Sequence, residues 1–142
     1  MTENGGRIWK QTIYYPYLHA SKYGRGTALN VLMDCPKYDT KRFTDVPALE
    51  AIAVESEEKD YVTLFILNRG TEKIDLTCSL RDYPGSRVEE FITMTSDDLK
   101  VTNSADMPER VKPVASNDYK MDGTELTVGL ERYSWNVVRV KI

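Results

Sequence analysis

The 142-residue chain is 41% hydrophobic and 29% charged, ordinary values for one folded domain that buries a core without disulfide staples. Its net charge of −3 and pI near 5.3 argue against nucleic acid as the main partner, because phosphate binding needs a basic surface. No apolar run approaches the roughly 18 residues of a membrane helix, and the opening MTENGGRIWK has no h-region, so the chain is expected to be cytoplasmic and without membrane partners.

The segment GGRIWKQTIYYPYLHASKYGRG, residues 5–26, holds one of the two tryptophans, four of the nine tyrosines and the single histidine. Trp9, Ile13, Tyr17 and Ala20 recur at helical spacing, with Tyr14 and Leu18 beside them, which predicts a helix over residues 8–23. Pro16 removes a backbone donor, so either the helix kinks there or it begins just before it. Ser21 to Gly26 supplies the small residues of a helix stop.

Beyond Thr27 the period changes from helix to strand. Ala28 to Met33 is a short apolar run, and CPKYDTKRFTDVP reads as a long polar loop. Residues 49–55 form a strand with Leu49, Ile52 and Val54 as core candidates. A charged turn at Glu57 to Asp60 leads to a strand over 61–68, where Val62, Leu64, Ile66 and Asn68 alternate with Thr63, Phe65 and Leu67. Apolar residues on both of its faces predict a central strand. Residues 73–80 alternate Ile74, Leu76, Cys78 and Leu80 against polar neighbours, the pattern of a strand with one wet face. A Pro-Gly turn precedes a strand over 87–95. A pattern-poor stretch from Asp97 to Met121 follows, and a loop of that length in a compact domain usually has a task. Asp122-Gly123 signals a hairpin into strands 125–130 and 134–142, with Trp135, Val137, Val138 and Val140 facing inward by turns. Seven to eight strands at this spacing predict an antiparallel β-sandwich, Greek-key and jelly-roll-like, preceded by one helix.

The residues offer no self-sufficient active site. Glu57-Glu58, Glu89-Glu90 and Asp97-Asp98 are adjacent carboxylates, but neighbours on a strand face opposite sides and turn acids are usually solvated. His19 lacks a nucleophile or second ligand at a recognisable spacing, so a structural role is expected. Cys35 and Cys78 read as small core hydrophobes, with a disulfide as the alternative, and two distant cysteines make no metal site. The tyrosines could stack on sugar faces, but at helical spacing aromatic rings more often pack on a core.

Several stretches nevertheless have a familiar form. MTENGGRIWKQTIYYPYLHASKYGRG, followed by CPKYDT and FTDVPALEAIAV, resembles the C-terminal part of the α-L-arabinofuranosidases of glycoside hydrolase family 51. NSADMPERVKP resembles that family's long loop with its asparagine, here Asn103, and its paired prolines, and SWNVVRV its final strand, so the resemblance covers essentially the whole chain. It implies a (β/α)8 barrel joined to a jelly-roll β-sandwich. The implied activity is retaining hydrolysis of terminal α-L-arabinofuranosyl residues, in L-arabinose metabolism. The family's two catalytic glutamates lie on barrel strands upstream of anything present here. Residues 1–26 would be the loop after the last barrel strand and the last barrel helix, and residues 27–142 the sandwich.

The resemblance assigns one substrate-binding residue, Gln11, the match to the family glutamine in the stretch Trp9-Lys10-Gln11-Thr12. Glu3 matches the post-strand loop and neither catalytic motif. No catalytic residue, metal ligand or cofactor is expected in this chain. The implied partners are the missing barrel, arabinose-containing oligosaccharides through the complete enzyme, and further copies in a homo-oligomer. The chain departs from the family in size: both the barrel and the N-terminal strand region that helps complete the sandwich are missing. Met1 is then either internal to a longer enzyme or the start of a short gene product. Retaining hydrolysis needs two carboxyl groups about 5 Å apart, and no credible pair is present. The competing expectations are a free-standing carbohydrate-binding module and a structural oligomerisation domain.

Overall fold

Pro16 decides where the helix starts. In the computed structural model, which describes residues 2–142, helix α1 spans Tyr14–Tyr23, so Pro16 sits in its first turn. The amide a proline lacks has no intrahelical partner at that position, and nothing is lost. Residues 8–13, expected to be helical, instead run as irregular chain. Ile13 at the N-cap offers no side-chain acceptor, and the first turn is secured by Tyr14 N–H to the Gln11 carbonyl (3.0 Å) and Tyr15 N–H to the Thr12 carbonyl (3.2 Å). The helix ends as Gly24 N–H donates to the Ala20 carbonyl (2.9 Å). Gly26 then turns the chain at φ +136°, where a Cβ would meet the Glu55 carbonyl, so only glycine fits.

Three short strands follow: β1 (Gly26–Leu29), β2 (Lys37–Tyr38) and β3 (Val46–Pro47). The long hairpin β4 (Leu49–Ser56) and β5 (Tyr61–Asn68) comes next, then β6 (Ile74–Ser79) and β7 (Arg87–Thr95). The pattern-poor stretch holds β8 (Val114–Ala115) and β9 (Tyr119–Asp122), and the chain finishes with β10 (Glu125–Leu130) and β11 (Ser134–Lys141). The strands read at 49–55, 61–68, 73–80, 87–95, 125–130 and 134–142 are all present within a residue or so. The two stretches read as loops each contain short strands that carry no periodic signal of their own.

The strands form a six-stranded sheet, β1-β4-β5-β11-β7-β8, a three-stranded sheet, β6-β10-β9, and the isolated pair β2-β3, with every pairing antiparallel. The first two sheets face each other as a β-sandwich. Its core interleaves Leu49, Val62, Leu64, Ile66, Phe91, Val138 and Val140 of the large sheet with Leu126, Val128 and Leu130 of β10. Apolar side chains on both faces put β5 and β11 at the sheet's centre. Even-numbered β11 residues point into the sandwich, while Trp135 and Val137 point outward and pack with Val54, Phe65 and Tyr23.

One core candidate is displaced. Ile52 is 60% exposed, and its neighbour Ala53 lies in the core instead. Alternation puts Ile52 on the outer face of β4, beyond the cover of α1. A bulge between β11 and β7 skips Glu89, so Val88 turns inward opposite Val140 and Glu90 pairs with Arg139.

Helix α1 lies on the outer face of the large sheet. It seats Tyr15 and His19, one turn apart, rather than the expected stripe. Trp135 Nε1–H donates to His19 Nδ1 at 3.1 Å, so the imidazole is neutral there and carries its proton on Nε2. The Arg139 guanidinium lies between the Tyr23 and Tyr61 rings, 4.4 and 4.1 Å from their centroids, and ties the helix end to β11 and β5.

Burial, aided by Lys22 and opposed by Glu90, holds the His19 pKa below the ordinary imidazole value. Glu90 comes from β7, Arg139 from β11, and Lys22 and Tyr23 from the helix itself. As pH falls through the imidazole range, the unfolded chain takes up a proton that the folded chain refuses. Stability from this residue is therefore full above that range and declines below it. The Trp135 indole N–H resonance should shift in the same window as the helix loosens. His19→Asn retains an acceptor without a titration and should flatten the response; an unchanged pH profile in that variant would refute the role.

Candidate functional site

Gln11, the one residue assigned to a sugar pocket, lies in the irregular stretch ahead of α1. That stretch is held by the long loop between β7 and β8. Residues 2–8 fold back on themselves, with Thr2 bridged to Ile8 and Glu3 N–H donating to the Arg7 carbonyl at 3.0 Å. Arg7 pairs with Glu3 (3.0 Å) and reaches across to Asp106 of the loop (2.7 Å). All three side chains are solvated, so these pairs guide the contact more than they stabilise it.

The next residues are held more firmly. Trp9 Nε1–H and Gln11 Nε2–H both donate to the Asn103 carbonyl, at 3.1 and 2.6 Å. Asn103 Nδ2 donates to the Lys10 carbonyl at 2.9 Å. Asn103 is 2% exposed, and its carboxamide also pairs with both backbone groups of Val111, at 2.8 and 2.9 Å. The loop is thus closed on itself and fastened to residues 9–11 by one side chain and one carbonyl. The sequence singled out the loop by its length and by the resemblance of NSADMPERVKP to the family's loop with its asparagine, but not what Asn103 binds. One asparagine in a polar stretch carries no periodic signal.

The adjacent carboxylates do not converge. Glu89 lies near Arg87 and Glu90 near Arg139, both at 3.9 Å, and Asp97 binds Arg132 at 2.8 Å. Among the described residues, no three His, Cys, Asp or Glu side chains gather as a metal site. Cys35 and Cys78 are free and half-buried against the core, and burial pushes the Cys78 thiol up to about 11, which keeps it protonated at neutral pH.

Two surfaces remain open. On α1, Ile13, Tyr14 and Tyr17 are 65%, 41% and 73% exposed, and Ile8 nearby is also exposed. At the other side of the sandwich an apolar groove of about 690 Å³ runs along β6, between Leu29, Met33, Leu64, Leu76 and Tyr83. Among the described residues β6 pairs only with β10, so its other edge faces this groove.

The profile of the α-L-arabinofuranosidase C-terminal domain matches residues 1–134. The chain is 47% identical to an intracellular exo-α-(1→5)-L-arabinofuranosidase of Halalkalibacterium halodurans, over 99% of this chain and 28% of that protein. It is 40% identical to intracellular exo-α-(1→5)-L-arabinofuranosidase 1 of Bacillus subtilis, with the same coverage of 99% and 28%. A solved family 51 α-L-arabinofuranosidase from Bifidobacterium longum superposes with a TM-score of 0.90 at 31% identity, covering 99% of this chain and 27% of that one. The chain therefore spans about 28% of the length of these curated relatives. Loop, helix and sandwich all fall within the matched region, and the chain belongs to the α-L-arabinofuranosidase C-terminal domain family of glycoside hydrolase family 51.

Proposed function

We propose that this chain is the supporting C-terminal segment of an intracellular α-L-arabinofuranosidase and has no hydrolytic activity alone. Residues 1–26 supply the post-strand loop and last helix of a (β/α)8 barrel, and residues 27–142 the sandwich that carries them; Met1 lies outside the described residues. The complete enzyme removes terminal α-L-arabinofuranosyl groups from short oligosaccharides with retention. Gln11 sits at the rim of its sugar pocket, and the sandwich helps assemble a homo-oligomer.

The observation that carries this reading is the two-sided helix. Tyr15 and His19 bind it to the sheet, while Ile13, Tyr14 and Tyr17 are left in water on its other sides. Apolar side chains placed together in this way mark a contact surface. The unpaired β6 edge and its groove have the shape of a place for one further strand, in line with the N-terminal strand region that the family resemblance leaves missing.

The test divides an enzyme in two. The Halalkalibacterium halodurans relative, expressed without its last 28%, should capture this chain and regain hydrolysis of 4-nitrophenyl α-L-arabinofuranoside. Tyr17→Asp should weaken capture by about tenfold or more, as expected when a charge replaces a buried aromatic contact, and leave the circular dichroism of the free chain unchanged. Equal capture of both forms, or hydrolysis by the free chain, would overturn the proposal. Heat released on mixing the free chain with arabino-oligosaccharides would favour a carbohydrate-binding module instead.

A further inference from the structure

We infer that Asn103, a sandwich residue, is the positioning residue for Gln11: it sets the orientation of the carboxamide that the complete enzyme turns toward its sugar. This rests on the reading of Gln11 given above. Gln11 Nε2 donates to the main-chain carbonyl of Asn103 at 2.6 Å. A carbonyl can only accept, so the nitrogen end of the Gln11 carboxamide must face it and the two ends cannot exchange. A group that reads hydroxyls needs this fixed polarity, because each hydroxyl both donates and accepts.

The carbonyl is itself held in place. The Asn103 side chain accepts from Val111 N–H at 2.8 Å, donates to the Val111 carbonyl at 2.9 Å, and donates to the Lys10 carbonyl at 2.9 Å. The first two bonds mimic a backbone pairing and close the loop. The third fastens the residue just before Gln11 to the same side chain. Trp9 Nε1–H donates to the carbonyl that receives Gln11. Residues 9, 10 and 11 are therefore each bonded to Asn103, which is itself almost fully buried. A loop more than ninety positions along the chain thus aligns a residue of the barrel segment. Surface loops rarely hold a side chain this way, and the three polar bonds of the Asn103 carboxamide leave it no rotational freedom.

Gln11 is the single glutamine of the sequence, so its carboxamide gives one assignable pair of ¹⁵N-bound protons in the intact 142-residue chain. That pair should be shifted from free-glutamine values and show an Overhauser contact to the Asn103–Ser104 peptide in the unsubstituted chain. Absence of the contact would overturn the inference without any variant. Asn103→Ala keeps the carbonyl but releases the loop that positions it, so it should displace the Gln11 pair and weaken the Overhauser contact while the Trp135 indole signal stays in place; an unmoved Gln11 pair counts against the inference. In the reconstituted enzyme, Asn103→Ala should lower kcat/KM by about tenfold, the order expected for one misaligned hydrogen bond. It should add nothing further in a Gln11→Ala background. Additive losses would show that Asn103 acts independently of Gln11. If the unsubstituted reconstitution is inactive, that failure belongs to the proposed enzyme, and the resonance measurements on the chain still decide the role of Asn103.

Discussion

Asn68→Ala should destabilise the chain by about 2–4 kcal/mol, because it removes every hydrogen bond of a fully buried carboxamide, whose two N–H protons are shared among three carbonyls. Asn68 is fully buried at the end of β5. Its Nδ2 lies 3.0 Å from the carbonyls of Glu72, Leu130 and Glu131, and its Oδ1 accepts from Gly70 N–H at 2.9 Å. It thereby ties the turn between β5 and β6 to the end of β10, joining the two sheets at one corner. The Leu130 carbonyl is enclosed and would be left without its partner, whereas the Glu72 and Glu131 carbonyls lie nearer the surface, so the loss combines an unsatisfied buried acceptor with a partial exchange for solvent. Asn68→Asp should cost at least as much, since a carboxylate oxygen would then face three carbonyls. Equilibrium unfolding in guanidinium checks both variants: the midpoint should fall with the slope unchanged. A loss under about 1 kcal/mol, the worth of a single ordinary hydrogen bond, would mean the corner is held by something else.

Leu126→Ala should cost about 2–5 kcal/mol, the range for truncating a fully enclosed leucine. The small sheet meets the large one mainly through one strand. Leu126, Val128 and Leu130 of β10 are completely buried, whereas Ile74, Leu76 and Cys78 of β6 are only partly covered beside the open groove. Leu126 stands opposite Cys78 and Met121, in the middle of the three strands, so a cavity there separates both neighbours from the core. Leu76→Ala, on the groove side, should cost roughly half as much or less, since its surroundings can relax and water already reaches it. Thermal unfolding of the two variants side by side gives the comparison. Equal losses would show that β6 is as firmly packed as β10.

The strands were legible because period-2 alternation survives wherever one face of a strand is dry. β5 announced its central place by being apolar on both faces, and β6 its wet face by strict alternation. The helix boundary was legible only as an alternative, since Pro16 is compatible with a kink or with a start, and backbone bonds from Tyr14 and Tyr15 selected the start. Ile52 shows the limit of reading one strand alone. Its apolar character is the same on either face, and only the extent of the helix above it determines exposure. Gln11 and the asparagine of the long loop both came from a resemblance, whereas their pairing could not be read, because Asn103 acts through its main-chain carbonyl as much as through its side chain.

By itself the sequence determined the class of fold, the position of the long strands, the family and the excess of apolar surface on the opening segment. These depend on local periodicity and on motifs contiguous in the chain. The tertiary structure alone decided which side of α1 is seated, through Tyr15, His19 and the indole of Trp135 on the last strand. It also decided that β10 carries the contact between sheets and that Asn103 meets Gln11. Each is a pairing of groups far apart in sequence, set by strand order and register, and nothing in the residues near either partner encodes the other.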